Sequence, residues 1–495
     1  MRVVLKFGGT SLADGKRIRR VAGLVAKVAG GANEVVVVCS AVDDLTDELI
    51  ALTQLAREGS EAAVEARLVT VRGLHLKALD EAVRSPEVRR KARRQLEETL
   101  NRLDKLARGS TVLREVTPRS RDSILSCGER LSSQIVAASL RDRGLKAVYM
   151  TGGDAGIMTD DAFGDAAPLM EVTAFQVREN VAPRLEAGEV PVVTGFLGVT
   201  QTGETTTIGR GGSDFTASLI AAAIGADEVW IWSDVDGLMT ADPRIVKDAR
   251  VLSEVSYSVA GEMAVFGAKA LHPRTLEPVS QKRIPLRFKN TFRPDHPGTV
   301  VKENPRAYPG RVVKSVALLK DVAIITLTGA SMVGKPGSAA TIFDTVARSG
   351  TNVMMISQNV SESNISMVVA RSAVLRTVNA LELAMLGEAG LLRSVDYEDD
   401  VSAVAVIGDG MRGAKGISAR VFGALARQGI NVRMVAQGSS DQTFSFVVQE
   451  RDGRAAVRTV HRAFSLDEMG GVRTGAGPAT DKSPRPHPGA VGRHR

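Results

Sequence analysis

The sequence predicts an α/β protein with an open, mostly parallel sheet in its first part and a duplicated smaller unit in its second. As far as Asn290, strand-like apolar runs alternate with helix-like periodic segments, and glycine turns follow several of the runs. A pattern of glycine turn, helix, Asn-Val, strand and glutamine then occurs twice. The first copy ends at Gln358 and the second at Gln437, 79 residues later (437 minus 358).

Composition limits the possible functions. The 495 residues, 44% of them hydrophobic, suffice for about three domains. Cys39 and Cys127 cannot form a disulfide framework, which predicts a reducing, cytoplasmic setting, and no apolar run reaches the ~18 residues of a membrane span. The net charge is +8, but residues 471–495 are basic and rich in Pro and Gly, so we expect a disordered tail and no nucleic-acid surface.

The first strand–helix–strand unit contains a candidate binding edge. Residues 3–7 and 35–38 have the composition of buried strands, and residues 14–29 between them have a helical pattern. Ligands of parallel sheets bind beyond the carboxyl ends of the strands. The polar and glycine residues at or beyond these ends are Lys6, Gly8, Gly9, Ser40 and Thr46.

A long helical region follows. Residues 47–106 are charged, alanine-rich and periodic, which predicts two or three surface helices that serve either as a solvated addition or as a lid or docking insert. Residues 122–140 are helical and place Glu129 on an otherwise apolar face, where an acid usually marks a solvated edge. A helix near 175–187 and a strand within 190–198 come next.

Residues 205–214 read as a loop that opens a helix at 215–224. Glycines and a helix start offer backbone N–H donors to an anion, and Arg210 can grip a carboxylate or phosphate with two hydrogen bonds. Two interpretations stay open from these residues. The loop binds an anion, or Ser213 or Asp214 only caps the helix while the glycines form a turn.

The remaining elements of this unit are a strand and loop at 228–239, a turn at 242–244, a helix at 261–273 that ends at a proline, and a last strand at 284–290. A proline-rich stretch from Arg293 to Gly298 then marks the end of the unit, which we place at residues 1–293.

Three segments resemble the signatures of the aspartate kinase family: residues 6–11, 206–214 and 266–273. The resemblance covers residues 1 to about 293 and continues into the second half. It implies the three-layer α/β/α sandwich of the amino acid kinase fold. It also implies the reaction ATP + L-aspartate → ADP + 4-phospho-L-aspartate, which opens the route to lysine, threonine, methionine and isoleucine.

The resemblance implies roles for individual residues. Lys6 and Asp214 carry the chemistry: Lys6 lies against the transferring phosphoryl group, and Asp214, with Glu129, engages the substrate ammonium group or orders the lysine. Arg210 and Ser213 hold the α-carboxylate of aspartate. The other aspartate-site positions are Ser40, Thr46 and Phe196.

The nucleotide side is implied in the same way. Gly8 and Gly9 line the phosphates beside Lys6, and the remaining matching positions are Ser233, Asp234, Met239, Arg244 and Lys269. Met239 stands where relatives commonly have tyrosine, which implies a looser adenine contact. Mg²⁺ is expected to accompany ATP, held by phosphate oxygens and waters and by no protein side chain.

The duplicated units resemble paired ACT modules, each a ferredoxin-like βαββαβ fold. We expect a linker at 294–320 whose strand near 312–318 completes the second module, a first module at 321–393 and a second at 394–470. Gln358, Asn359 and Gln437 match effector positions, which favours threonine as inhibitor and lysine next. A homodimer or homotetramer is implied, and the chain ends too soon for a fused dehydrogenase.

Two other functions remain open from the sequence. The chain is another amino acid kinase, acting on acetylglutamate or glutamate, or it is a catalytically dead amino-acid sensor. The ACT pair and the segment at 266–273 count against the first, and the presence of Lys6, Arg210 and Asp214 counts against the second.

Overall fold

The computed structural model describes residues 1–266, 271–306, 308, 310–329, 333–385, 392–436 and 441–469. These residues form an eight-stranded sheet with its helices, a two-stranded hairpin, and a six-stranded sheet with four further helices. Within these ranges no helix combines the length and the apolar character needed to cross a membrane.

The eight-stranded sheet has the order β3-β4-β2-β1-β7-β9-β10-β8. All neighbours from β3 to β9 are parallel, β10 runs antiparallel to β9, and β8 is parallel to β10. β5 and β6 form the separate antiparallel hairpin. The strands are β1 (Arg2–Phe7), β2 (Glu34–Cys39), β3 (Ala147–Met150), β4 (Val190–Thr194), β5 (Leu197–Val199), β6 (Thr205–Thr207), β7 (Glu228–Ser233), β8 (Glu254–Val255), β9 (Leu286–Asn290) and β10 (Thr299–Val301).

Helices cover both faces of this sheet. Side chains of a strand alternate between faces, so Val3, Leu5 and Phe7 pack with α1–α5 in one core, while Val4 packs with α7–α10 in another. This arrangement confirms the three-layer α/β/α sandwich. The helices are α1 (Gly15–Ala29), α2 (Leu45–Glu58), α3 (Glu61–Ala82), α4 (Pro86–Leu113), α5 (Pro118–Arg141), α6 (Gly152–Ala155), α7 (Met170–Glu186), α8 (Gly212–Ile224), α9 (Tyr257–Val265) and α10 (Leu276–Gln281).

The helical region predicted at 47–106 consists of α2, α3 and α4 and extends from Leu45 to Leu113. It is not a solvated addition. Leu52, Leu79 and Leu96 are fully buried in the same core as β1 and β2. The many charged residues on the outer faces favoured the prediction of a solvated addition. Charge alone does not reveal that the helices also have an apolar face packed against a sheet.

Two local predictions were wrong. Thr205–Thr207 is strand β6, paired with Leu197–Val199, and only the residues after it form the loop. The helix predicted at 261–273 is α9, which ends at Val265, and residues 267–270 lie outside the described part of the chain. Proline disfavours the helical conformation in the residue before it, and His272 is accordingly extended (φ −106°, ψ 138°).

The boundary predicted at residue 293 falls too early, because β10 adds Thr299–Val301 to the sheet beyond β9. The chain reaches this position through Gly298, which has φ +76°. A Cβ atom there would lie 1.8 Å from the carbonyl oxygen of Phe288. Only glycine combines this backbone conformation with such a close approach.

The second half forms one six-stranded sheet of order β12-β13-β11-β14-β16-β15 with helices packed on it. Each module has the βαββαβ arrangement predicted for ACT folds. The elements are β11 (Val313–Thr328), α11 (Ser338–Arg348), β12 (Val353–Gln358), β13 (Asn364–Ala370), α12 (Val374–Met385), β14 (Ser394–Gly408), α13 (Ile417–Arg427), β15 (Val432–Ala436), β16 (Thr443–Gln449) and α14 (Glu450–Ala463).

The two modules share their central strands. The first part of β11 pairs with the last part of β14 (Val316 opposite Val406), and its second part pairs with the start of β14 (Leu327 opposite Val395) and with β13. The strand predicted at 312–318 therefore lies in the second module, as expected, but it continues into the first. A module boundary at 320 cuts this continuous strand, so that prediction was wrong.

The kinase unit and the second ACT module are joined by a continuous apolar core and by direct hydrogen bonds. The Val316 N–H donates to the Thr240 carbonyl (2.9 Å), and the Ser315 hydroxyl donates to the Met239 carbonyl (2.9 Å). Thr240 Oγ1 also lies 2.9 Å from His461 Nε2 on α14. The segment after β7 is therefore held by the regulatory half.

The turn at Gly298 offers a stability test with a matched control, because Gly310 has the same φ of +76° but open space around it. Gly310→Ala should lower the free energy of unfolding by about 1–2 kcal/mol, the cost of a left-handed alanine. Gly298→Ala must also displace the Phe288 carbonyl, so we expect a loss above about 3 kcal/mol. Thermal unfolding of both variants measures the difference, and equal losses would contradict the packing at β9–β10.

Candidate active site

Lys6 lies at the carboxyl end of β1, and only 8% of its surface is exposed. Strand alternation directs its side chain to the face covered by α8, where Asp214 lies in the first turn. Lys6 Nζ and Asp214 Oδ1 are 2.5 Å apart, an ion pair whose angles are not those of a hydrogen bond. The structure thus brings together the two residues predicted to carry the chemistry.

The Gly8-Gly9 turn lies beside this ion pair. The Gly8 N–H donates to the Trp232 carbonyl of β7 (3.1 Å), and a Cβ atom on Gly8 would lie 3.7 Å from Lys6 Nζ. A Cβ atom on Gly9 would lie 3.0 Å from the carbonyl oxygens of both Ala41 and Asp43. Gly9 lets the chain pass close to the loop at Ala41 and Asp43, and Gly8 places no side chain next to Lys6 Nζ.

The loop between β6 and α8 packs against the β4–β5 turn. Gly211 at its apex has φ +71° and precedes the helix. A Cβ atom on Gly212 would lie 2.8 Å from the Phe196 ring, and one on Gly195 would lie 2.5 Å from Ser213 Cβ. Phe196 and Ser213, predicted at the aspartate site, are therefore neighbours.

Arg210 projects from this loop. Its side chain is exposed and forms no ion pair with any residue that the structure describes. Arg274, by contrast, lies near Gly209 of this loop and is paired with Asp165 at 3.0 Å. Arg210 is thus a cation four positions before Asp214 that is available to an anionic ligand.

Glu129 on α5 is buried, with 3% of its surface exposed, so the expectation of a solvated edge was wrong. Oε1 accepts a hydrogen bond from the Ala41 N–H (3.2 Å), and Oε2 has no partner within the described ranges. Burial raises the pKa of this carboxyl to about 8, although the Ala41 N–H and the charge of Lys6 oppose the shift. A buried oxygen without a donor suits a cationic ligand group.

Two further side chains of α5 were missed by the sequence analysis. The Ser132 hydroxyl donates to the carbonyl of Ser40 (2.7 Å). Asp122, fully buried, binds Gly164 and Thr207. Residues 122, 129 and 132 are seven and three positions apart, which places them on one helix face. This spacing of polar residues in an apolar helix was the available signal.

Of the predicted nucleotide residues, Ser233 and Asp234 lie at the carboxyl end of β7. The Ser233 carbonyl accepts the Thr291 N–H (2.9 Å). The loop beyond is fixed by Asp236, also missed in the sequence, whose carboxylate binds Asn290 Nδ2 (2.9 Å) and Arg293 Nη1 (2.6 Å).

The other predicted nucleotide residues lie further along the chain. Met239 is tied to β11 through its carbonyl. Arg244 is largely exposed and forms an ion pair with Asp242 (2.6 Å). Lys269 lies outside the described residues. Thr46, predicted on the aspartate side, is half-buried in the first turn of α2. The geometry leaves the roles of these four as predictions.

The first ACT module has a cleft of about 330 Å³ at the start of α11. Gln358 lines it together with Lys335, Ser338 and Glu362. Asn359 is exposed, and its carbonyl accepts the Glu362 N–H (2.9 Å). A smaller cleft of about 250 Å³ occupies the equivalent place in the second module, but Gln437 lies outside the described residues.

Taken together, the sandwich, the Lys6–Asp214 pair and the paired regulatory folds define an amino acid kinase with ACT modules. Residues 1–290 match the amino acid kinase family, and residues 325–385 and 404–464 each match the ACT domain. The chain is 34% identical over 474 residues to the aspartokinase of Geobacillus stearothermophilus, covering 95% of this chain and 99% of that protein.

Solved structures agree. Escherichia coli aspartokinase III in complex with aspartate and ADP (R-state) superposes with a TM-score of 0.80 at 32% identity, covering 94% of this chain and 99% of that one. The same enzyme in complex with lysine and aspartate (T-state) gives 0.75 at 31% identity, covering 93% and 99%. The chain belongs to the aspartokinase family and is a kinase.

The buried Glu129 predicts a specific pH dependence. The pKa of its carboxyl is about 8 when folded against an ordinary 4.5, so the folded state binds more protons between these values, and this group lowers stability as pH rises from about 5 to 8. Glu129→Gln cannot titrate and should therefore gain stability relative to the unchanged protein across this range. Urea unfolding midpoints at several pH values measure it.

The control is Glu98→Gln on the exposed face of α4, which should follow the unchanged protein at every pH. A parallel pH dependence in the Glu129→Gln variant and the unchanged protein would show that Glu129 titrates normally.

Proposed function

We propose that the chain catalyses ATP + L-aspartate → ADP + 4-phospho-L-aspartate, the first step towards lysine, threonine, methionine and isoleucine. The observation that carries the proposal is the buried Lys6–Asp214 pair beside the Gly8-Gly9 turn, with the free cation of Arg210 on the adjoining loop. Full-length similarity to aspartokinases supports it.

The reaction joins two anions. A carboxylate is already nucleophilic, so the barrier lies in bringing it against the charged γ-phosphoryl group, and catalysis depends on positioning and positive charge. We assign Lys6 to the transferring group, because its ammonium lies next to Gly8, which has no side chain to block a phosphoryl group. Asp214 holds that ammonium in place, and the Gly8-Gly9 turn lines the phosphates. The Gly8 N–H is already bonded to the Trp232 carbonyl, so we assign the Gly9 N–H as the phosphate donor.

The acceptor site is assigned on the other side of the pair. Arg210 binds the α-carboxylate of aspartate with Ser213 beside it, and Glu129 Oε2, which has no partner among the described residues, receives the α-ammonium group. Burial raises the pKa of Glu129, so we expect it to lose its proton as the substrate cation arrives. The remaining residues assigned to the pocket are Ser40, Thr46 and Phe196.

On the nucleotide side we assign Ser233 and Asp234 to the ribose and the adenine loop, Met239 to the adenine face, and Arg244 and Lys269 to the phosphates. Mg²⁺ would enter with ATP. No group of three or more His, Cys, Asp or Glu residues in the described ranges is arranged to hold a metal ion. Because Mg²⁺ keeps several waters and binds substrate phosphates, we propose that phosphate oxygens and waters supply most of its ligands and that the ion neutralises phosphate charge.

We further propose that an end-product amino acid inhibits the enzyme through the first ACT module. The cleft at α11 combines helix-start N–H groups with the Lys335 and Glu362 charges and the Gln358 amide, which suits a zwitterion. Threonine is the first candidate because of Gln358, and lysine is the second because a similar enzyme was solved in complex with lysine. ACT sheets commonly associate, so we propose a homodimer or homotetramer.

The catalytic assignment predicts that Lys6→Ala lowers kcat for aspartyl phosphate, measured as the hydroxamate, by about a hundred-fold or more, the usual loss on removing a charge that stabilises the transition state. Asp214→Asn should do the same by freeing the lysine. Lys27→Ala, on the exposed face of α1, is the matched control and should be unaffected. Near-normal kcat in the folded Lys6→Ala variant would refute the role.

The regulatory assignment predicts that threonine inhibits the unchanged enzyme and that Gln358→Ala raises the half-inhibitory concentration about ten-fold, the loss of roughly one buried hydrogen bond. Steady-state rates with threonine, lysine or methionine measure it. Gln428→Ala, exposed after α13, is the control. Inhibition by lysine but not by threonine would show that lysine is the inhibitor. Turnover of glutamate or acetylglutamate but not of aspartate would contradict the assignment of aspartate as the substrate.

A further inference from the structure

A carboxylate that the proposed reaction does not use lies near the start of α5. Asp122 is fully buried. Its Oδ2 accepts hydrogen bonds from the N–H groups of Gly164 and Thr207 (both 2.9 Å), and its Oδ1 accepts the Thr207 hydroxyl (2.8 Å). Within the described chain no Lys or Arg lies at ion-pair distance from it, and Arg121 acts on it only as a more distant charge that lowers its pKa.

These three bonds join two loops at the base of the acceptor site. Thr207 ends β6, three residues before Arg210, and Gly164 lies in the segment between α6 and α7. The same segments meet twice more. The Ala166 N–H donates to the Thr207 carbonyl (2.9 Å), and a Cβ atom on Gly209 would lie 2.1 Å from Asp165 Oδ1. Asp122 therefore anchors the root of the loop that carries Arg210.

The carboxylate satisfies three buried donors, but its burial has a desolvation cost. Burial raises the pKa of Asp122 even though three hydrogen bonds oppose the shift. An apolar side chain of similar volume would avoid this desolvation cost but would leave the donors of Gly164 and Thr207 without partners. The carboxylate supplies two acceptor atoms with defined directions. Together they fix the N–H of Gly164 and the N–H and hydroxyl of Thr207.

The same helix holds the opposite side of the pocket. Glu129, two turns further along α5, binds the Ala41 N–H, and Ser132 binds the Ser40 carbonyl. The distance between the Arg210 loop and the Ser40 loop is therefore set by one helix, which binds the first loop through Asp122 and the second through Glu129 and Ser132.

We infer that Asp122 is a positioning residue that fixes the Arg210 loop against α5, so that Arg210 meets the α-carboxylate of the acceptor. The inference rests on the proposed aspartate kinase function. It concerns acceptor binding and leaves the nucleotide side unchanged, because every bond of Asp122 goes to the acceptor loops.

The test compares Asp122→Ala with Asp122→Asn by steady-state kinetics with each substrate varied in turn. Asp122→Ala leaves two buried N–H groups and a hydroxyl without partners. We expect KM for aspartate to rise about ten-fold or more, with KM for ATP changed by less than about two-fold. Asp122→Asn should restore KM for aspartate to within about three-fold, because its amide oxygen can accept both N–H groups and its NH₂ can donate to the Thr207 hydroxyl.

Two more variants complete the design. Arg119→Ala breaks the exposed ion pair with Glu204, which also joins α5 to the hairpin, and should leave both KM values unchanged. Thr207→Val removes only the hydroxyl bond and should raise KM for aspartate about three-fold. It remains decisive if Asp122→Ala fails to fold, since valine suits a strand position.

Several outcomes would overturn the inference. They are an unchanged KM for aspartate in folded Asp122→Ala or in Thr207→Val, an equal rise in KM for ATP, and an Asp122→Asn variant no better than Asp122→Ala. Failure of the unchanged enzyme to phosphorylate aspartate would instead refute the proposed function.

Discussion

The ion pair between Lys6 and Asp214 is the constraint on which the rest of the kinase unit depends. A lysine ammonium that is nine-tenths buried requires an opposite charge within a few ångströms, because desolvation otherwise disfavours the cation. The carboxylate must then come from the first turn of α8, directly above the end of β1. That placement fixes the path of the preceding loop across the sheet edge. The path brings backbone segments close together, and glycines such as Gly195, Gly211 and Gly212 stand where a side chain would clash.

Much of the kinase fold could be predicted from the sequence because its central strands are buried on both faces. β1, β2 and β7 appear as short apolar runs next to glycines, and such runs have few alternatives. β10 could not be found, since three residues after a proline-rich stretch give no periodic signal. The sharing of β11 and β14 between modules was also hidden, because alternation along a strand does not reveal which partner it pairs with.

The site residues that lie in glycine-rich segments could be predicted from the sequence. Those whose role depends on burial could not. Lys6, Gly8 and Asp214 lie in glycine-rich segments whose spacing points to ligand contact. Glu129 and Asp122 instead look like ordinary polar residues of a helix. Their importance follows from the packing of α5 between two loops distant in sequence, and a single sequence does not contain that information. The helix nevertheless unites both walls of the pocket.

The long strand β11 has a mechanical meaning. Its first residues are hydrogen-bonded to Met239 and Thr240 of the kinase unit, and its last residues lie in the sheet of the first ACT module, which carries the cleft at α11. Sixteen residues in one strand leave no flexible hinge between these ends, apart from the irregular pairing near Asp321, which has φ +57°. We therefore expect a displacement at the cleft of the first ACT module to be transmitted along this strand to Met239 and Thr240, with bending confined to the bulge near Asp321.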